Sequence, residues 1–425
     1  MKTGKDMLGR PGVTTVEDAR RVFLESFAMP QLAIERVGLD EALGRVLASD
    51  VVSQTALPDF ARSSMDGYAV MARDTYGATE SLPAYLKVSG EVLMGEMPAI
   101  PLQKGSVVRI STGGMLPPGA DAVVMLENTQ RLSSGEVEVS KPAAPGENVV
   151  QIGDDVKKGE RILGTGHRLR PQDIGALAGI GVTEVDVCKR PTVAIINTGN
   201  EIVGADSVPL PGQVRDVNSY NLAGLVIQAG GIPVKKGIYR DEYASIRKAV
   251  EEAVSASDVV AITGGSSVGT GDLTAKVIND LGPPGVLVHG VSVRPGKPVI
   301  IGIAAGKPVF GLPGHPVAVT VSFELFLMPL IKMLSGEIDK LGIAGIPQAR
   351  VITARMSRNY SSAQGREDHL RVALERREDG ELWAVPVLGK SGLISTLVKA
   401  DGTVVVPLAK TGLEKGEKVE VRLFE

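Results

Sequence analysis

Sulfur and imidazole are scarce in this chain. Cys188 is the only cysteine in 425 residues, which excludes an intrachain disulfide and a cysteine-cluster metal site and suits a reducing compartment. His167, His289, His315 and His369 are scattered without ligand spacing, which argues against a histidine zinc site. Positive charge is not in excess: 46 basic against 49 acidic residues give a formal charge of −3 and a pI near 6.0. No global field therefore draws the chain to nucleic acid or to an anionic membrane, and any anionic substrate must meet local charges. The sequence holds no uninterrupted run of about 18 apolar residues to span a bilayer, and Met1 to Val13 carries Lys2, Lys5, Asp6 and Arg10 without an apolar core. The expected address is the cytoplasm, with neither nucleic acid nor membrane as partner.

An apolar fraction of 43% with 22% charged residues is the balance of a folded globular protein. Glycine and proline are plentiful, 51 and 26 residues, with no Gly-X-Y period, so collagen is excluded and many tight loops are expected. At roughly 100 to 200 residues per domain the length allows two to four domains.

Periodicity divides the chain. Thr15 to Phe27 reads as a helix capped by Thr15, with Val16, Ala19, Val22, Phe23 and Phe27 on one face, and Asp40 to Val46 as a shorter one. From Asp50 to Gly153 the pattern is strand-like, with Tyr85–Val88, Val107–Ile110, Ala122–Met125 and Val137–Val139 set between turn residues. From Pro191, apolar strands at Thr192–Asn197, Pro233–Gly237, Val259–Thr263, Val299–Ile303 and Val309–Leu312 alternate with helices, ending in a long helix from Pro316 to Leu334. Such βαβ units build a mostly parallel sheet whose ligands bind beyond the carboxyl ends of the strands. From Ile346 short strands return, as a small β-barrel or sandwich. The fold class is thus multidomain α/β plus β.

Chemistry-bearing segments cluster after the strands. Gly264-Gly265-Ser266-Ser267-Val268-Gly269-Thr270-Gly271-Asp272 follows a buried strand and opens a helix, so backbone N–H groups can cradle a phosphate, although the pattern is neither a Walker loop nor Gly-x-Gly-x-x-Gly. The same loop also reads as a tight connection with Asp272 as N-cap. Arg294-Pro295-Gly296-Lys297-Pro298 presents two cations on a proline-stiffened segment, suited to gripping an oxyanion or to a plain turn. Gly311-Leu312-Pro313-Gly314-His315-Pro316 opens the long helix. Glu201, Asp241 and Asp272 each follow a strand of the same sheet, and clustered carboxylates beside a phosphate cradle point to Mg²⁺. Read singly, each is equally a helix cap or loop carboxylate.

Together with Ser64-Met65-Asp66-Gly67-Tyr68-Ala69, with Ser111-Thr112-Gly113 and Pro118 to Val124, with Gly153-Asp154-Asp155 and with Asn197-Thr198-Gly199-Asn200-Glu201, these segments stand in the order found in molybdopterin molybdenumtransferases. The chain resembles this MoeA-type family, to which the C-terminal domain of gephyrin belongs, from about Thr15 to its end. The resemblance implies four domains: a discontinuous helical domain at 15–58 and 155–190, a β-rich insert at 59–154, an α/β molybdopterin-binding domain at 191–336 and a C-terminal β-barrel at 345–425. It implies a homodimer whose insert leans over the partner's α/β domain, with molybdopterin adenylyltransferase supplying the substrate. The implied reaction is Mg²⁺-dependent insertion of molybdate into adenylylated molybdopterin with release of AMP, giving molybdenum cofactor.

By the same resemblance Gly264, Gly265, Ser266, Ser267 and Gly269 take the phosphates, and Glu201 and Asp272 the Mg²⁺. Arg294 and Lys297 take molybdate, with Arg366 and Ser391 near it; Pro298, Pro313 and Pro316 are further cofactor-binding positions. Asp66, Thr112, Asp155 and Asp241 carry over as catalytic residues beside Lys297. Two positions depart from the family, which usually has lysine at Arg294 and commonly asparagine at His315; the first exchanges an ammonium for a planar fork, the second adds a group titrating near neutrality. Rival readings are a non-catalytic scaffold on the same fold, a tungstate-specific relative, and a nucleotide-dependent hydrolase sharing only the α/β domain; the last leaves the matching insert and tail unexplained.

Overall fold

The computed structural model describes residues 14–264, 271–337, 350–378 and 380–424. Its centre is a six-stranded sheet in the order Ile232–Tyr239, Thr192–Thr198, Val259–Thr263, Lys307–Leu312, Ile300–Ala304, Gly285–His289. The first three junctions are parallel and the last two antiparallel. Ile300–Ala304 runs backwards because only Ala305 and Gly306 separate it from the next strand, both in the left-handed region with φ of 47° and 75°. Such a two-residue loop joins antiparallel neighbours only.

The strands are apolar on both faces because both faces are covered. Val193 and Ile195 pack with Leu222, Val226 and Phe310 on one side, while Ala194 and Ile196 pack with Ile246, Val250 and Ile278 on the other. The predicted helices appear at Asn218–Gln228, Tyr243–Ala256 and Gly271–Asp280.

The long helix runs from Pro316 to Leu334 with a π-turn at Phe323–Leu327. Pro329 has no N–H for the carbonyl of Leu325, and Arg20 Nε donates to that carbonyl instead at 2.8 Å. By length and mean hydropathy, 1.8, this helix would pass for a membrane span, although Glu324 and Lys332 interrupt its apolar run. It is a core helix: 72% of its most apolar window is buried inside the protein.

At the N-terminus Val16–Ser26 is helical, and Thr15 Oγ1 accepts from Asp18 N at 3.0 Å as expected. Its apolar face does not build a helical domain of its own. Val16, Ala19, Phe23 and Phe27 join the α/β core, with the Phe23 and Phe310 rings 5.7 Å apart. The rest of this region is held by small antiparallel ladders, Ile34–Gly38 with Glu184–Cys188 and Val51–Val52 with Arg161–Leu163, around Leu47, Leu169 and Leu177. The helix predicted at Asp40 to Val46 shrinks to Leu39–Ala42, stopped by Gly44 at φ 72°.

Between these ladders the chain forms a six-stranded sheet in the order Ala122–Met125, Gly67–Val70, Ser106–Ile110, Ala84–Val92, Glu136–Val139, Thr129–Arg131. At the C-terminus Val351–Met356, Glu367–Arg376, Leu382–Pro386, Gly402–Val406 and Lys418–Leu423 close into a five-stranded barrel, because Glu367–Arg376 pairs with both Leu382–Pro386 and Gly402–Val406. Closure settles the barrel-or-sandwich alternative and leaves an edge at the start of Glu367–Arg376, before its pairing with Leu382–Pro386 begins at Val372. A two-residue strand from the α/β region, Val293–Arg294, adds to this barrel beside Glu367 and Asp368.

Candidate functional site

That added strand brings the carboxyl edge of the α/β sheet against the barrel, and a cavity of about 1430 Å³ opens between them. Glu201, Asp241, Gly264, Arg294, Lys297, Pro298, Pro313, Pro316, Arg366 and Ser391 all line it. Residues from distant parts of the chain therefore meet where an open α/β sheet is expected to bind its ligand.

Gly264 ends the strand Val259–Thr263 with φ 98°, and a Cβ there would stand 1.9 Å from the carbonyl oxygen of Thr198. Only glycine permits both the conformation and the approach of the two chains. Glu201 follows the neighbouring strand and Asp241 the edge strand; Asp241 N donates to Asn200 Oδ1 at 3.3 Å. Burial and then the Glu201 carboxylate push the Asp241 carboxyl above its ordinary pKa, while Thr198 and the Asn200 backbone pull it down; its Oδ1 is buried without a hydrogen-bond partner. A like charge beside a partly buried carboxyl disfavours its ionised form.

Cations occupy the barrel side. Asp368 is 1% exposed and accepts from Arg366 Nε at 2.8 Å, with Arg294 Nη1 3.5 Å away. Tyr360 donates to the same carboxylate at 3.4 Å, and burial together with Asp368 raises the phenol's pKa. Lys297 lies in the turn that returns the strand to the sheet, where Val291 N bonds Lys297 O at 2.9 Å and Val299 N bonds Gly296 O at 3.2 Å. His315, where the long helix begins, shares a 2.8 Å hydrogen bond with Ser391 Oγ, and Val317 N donates to Ser391 O at 3.2 Å. The histidine thus ties the barrel loop to the α/β domain across the cavity's rim.

Three expected residues stand elsewhere in the chain. Asp66 Oδ1 accepts from Thr112 N at 2.7 Å and from its hydroxyl at 3.2 Å, so these two form one exposed unit on the inserted sheet. Asp155 is exposed where its backbone N–H bonds Leu57 O. None of the three lines the cavity of its own chain. Gly265, Ser266, Ser267 and Gly269 lie outside the described residues, and of Asp272 only its place in the helix Gly271–Asp280 is described. Among the described residues no three metal-ligating side chains are grouped, so the two cavity carboxylates stand as a pair.

Residues absent from the sequence expectations also line the cavity. Asn197 Nδ2 donates to buried Asp216 Oδ1 at 2.7 Å, Thr263 Oγ1 donates to Asn197 Oδ1 at 2.5 Å, and Asn218 Nδ2 donates to Gly314 O at 2.8 Å. This network locks the loops that bear Gly264 and Pro313. Asp216 and Asn218 carried a readable signal, a polar pair just ahead of an amphipathic helix. Arg371 and Lys390, on the barrel side, carried none.

An α/β domain with carboxylates and a glycine turn at its sheet edge faces a cation-bearing barrel across one cavity. Family models match the chain in three blocks: MoeA N-terminal region (domain I and II) at 14–181, Probable molybdopterin binding domain at 194–333 and MoeA C-terminal region (domain IV) at 353–424. The molybdopterin molybdenumtransferase of Bacillus subtilis is 33% identical over 395 residues, covering 92% of this chain and 90% of that one. Two crystal structures of MoeA proteins of molybdopterin biosynthesis from Pyrococcus horikoshii each cover 97% of this chain. One has a TM-score of 0.80 at 40% identity and covers 99% of that chain; the other has 0.83 at 31% and covers all of it. The chain belongs to the molybdopterin molybdenumtransferases, transferases of molybdenum cofactor biosynthesis.

Proposed function

We propose that the cavity joins molybdate to adenylylated molybdopterin and releases AMP. The observation that carries this reading is that the carboxylates Glu201 and Asp241 and the cations Arg294, Lys297 and Arg366 line one space between two domains. Two anions that repel must be held together, and fixed opposite charges that need no reorganisation do this best in a water-poor site. Gly264 lets the backbone approach a phosphate. Lys297 and Arg294 hold the oxyanion, Arg366 is aimed by Asp368, and Ser391 is fixed by His315.

Mg²⁺ fits the donor set of Glu201 and the orphaned oxygen of Asp241, with Asp272 as the third carboxylate expected from sequence. It would supply charge neutralisation on the substrate's diphosphate. Asp66, Thr112 and Asp155 serve the cavity of a second subunit in a homodimer, which accounts for an Asp–Thr unit facing outward from its own chain. A molybdopterin adenylyltransferase is the corresponding source of substrate.

The test is AMP release from adenylylated molybdopterin by purified protein with Mg²⁺, titrated with molybdate or tungstate while active cofactor is assayed. Molybdate-dependent AMP release with cofactor formed is expected. Tight binding without AMP release would replace the enzyme by a scaffold, and release driven by tungstate alone would reassign the oxyanion.

A further inference from the structure

Arg371 lies in the barrel strand Glu367–Arg376 and lines the cavity, although only 7% of it is exposed. Its Nη2 donates to Gly389 O at 3.0 Å, and its Nε is buried with no hydrogen-bond partner. Among the described residues it forms no ion pair, because the one buried carboxylate on that side, Asp368, already holds Arg366 and Arg294. Burial works against its cationic form, Tyr360 favours it, and the Arg294 charge nearby opposes it again. A guanidinium does not escape by losing its proton, so the charge stays and its hydration is lost.

The guanidiniums of Arg294 and Arg366 share the Asp368 carboxylate, while that of Arg371, near enough to Arg294 for the two charges to oppose each other, has no carboxylate partner among the described residues. We infer that Arg371 is a further anion-binding residue of the cavity, providing charge that Asp368 does not neutralise to a tetrahedral dianion held between the barrel and the Arg294–Lys297 turn. The inference rests on the transferase reading above and adds to it a residue acting on the oxyanion and not on the nucleotide. Arg371 also holds the loop of Lys390 and Ser391 through Gly389, so charge and anchoring must be separated in the test.

The experiment is calorimetric titration of the full chain with sodium molybdate, with sulfate as competitor, for the wild type, Arg371→Gln and Arg371→Lys, and thermal unfolding of each. A loss of tenfold or more in molybdate affinity in Arg371→Gln, with Arg371→Lys within about threefold of wild type and AMP binding unchanged in both, is the expected result. Molybdate affinity within twofold of wild type in Arg371→Gln would overturn the inference while leaving the transferase reading intact. Equal weakening in both variants, with lowered melting temperatures, would overturn it in favour of an anchoring role. A wild type that binds no molybdate while releasing AMP would overturn both readings.

Discussion

On the α/β side of the cavity the carboxylates Glu201 and Asp241 stand with the cations Arg215 and Lys297 and with backbone and amide groups; on the barrel side guanidiniums gather round Asp368. The α/β wall is held by a continuous network running from Thr263 through Asn197 to Asp216, inside one domain. The barrel wall is held by contacts that cross between domains, the Val293–Arg294 strand and the His315–Ser391 bond. One wall is thus preorganised by its own core, whereas the other exists only when two domains dock. A site of this kind can place two repelling anions at fixed distance without either wall needing a compensating surface charge.

Replacing the free ammonium at the junction should break this arrangement most. Lys297→Ala is expected to lower molybdate-dependent AMP release about 100- to 1000-fold, the range for loss of one fixed electrostatic group, with little change in melting temperature. Steady-state rates against molybdate concentration check it. The contribution of a second subunit is tested by mixing two inactive variants, Asp66→Asn and Lys297→Ala, by co-expression. If sites are shared, half the dimers are mixed and each has one intact site, so roughly a quarter of wild-type activity returns. No recovery would confine the site to one chain.

The rigid wall is probed by Gly264→Ala, whose Cβ would enter the Thr198 carbonyl at a left-handed φ. Destabilisation of about 2 to 3 kcal/mol is expected from thermal or urea unfolding. A milder loss, about 1 to 2 kcal/mol at pH 7, is expected for Asp173→Asn, away from the cavity. Burial alone would raise Asp173, but its bonds to Arg170, at 2.9 Å, and His167, at 2.7 Å, hold the carboxyl well below the usual range. Its stabilisation is present above the ordinary carboxylate pKa and is lost as pH falls toward the depressed folded value. The gap between wild type and variant should therefore close in acid.

Glu324 in the π-turn behaves oppositely: burial raises its pKa to about 7, with Arg422 opposing. Stability linked to it is greatest below the unfolded pKa near 4.5 and falls as pH rises toward 7. Glu324→Gln should remove that fall, visible as a flatter melting-temperature profile between pH 5 and 8.

Much of this is legible in the sequence. Unalternated apolar strands separated by amphipathic helices announced the covered sheet, and the glycines and prolines around Gly264, Gly296 and Pro313 announced its ligand edge. The barrel wall was harder to read. Arg371 sits in an alternating strand where an outward arginine is the ordinary expectation, and nothing local tells that strand closure turns it into a cavity. The fate of the first helix was hidden for a similar reason: its apolar stripe shows that it packs, but the partner, Phe310, lies nearly three hundred residues away. Asp66 and Thr112 show the reverse case, motif residues that a single chain leaves outside its own site.

The central claim is that nucleotide and oxyanion meet between these two walls. The most direct measurement is a crystal structure of the protein with adenylylated molybdopterin and molybdate, with molybdenum located by its anomalous scattering. The metal peak is expected among Arg294, Lys297 and Arg366, with the nucleotide phosphates beside Gly264 and Asp241. A peak outside this cavity, or a pterin bound with the barrel wall untouched, would contradict it.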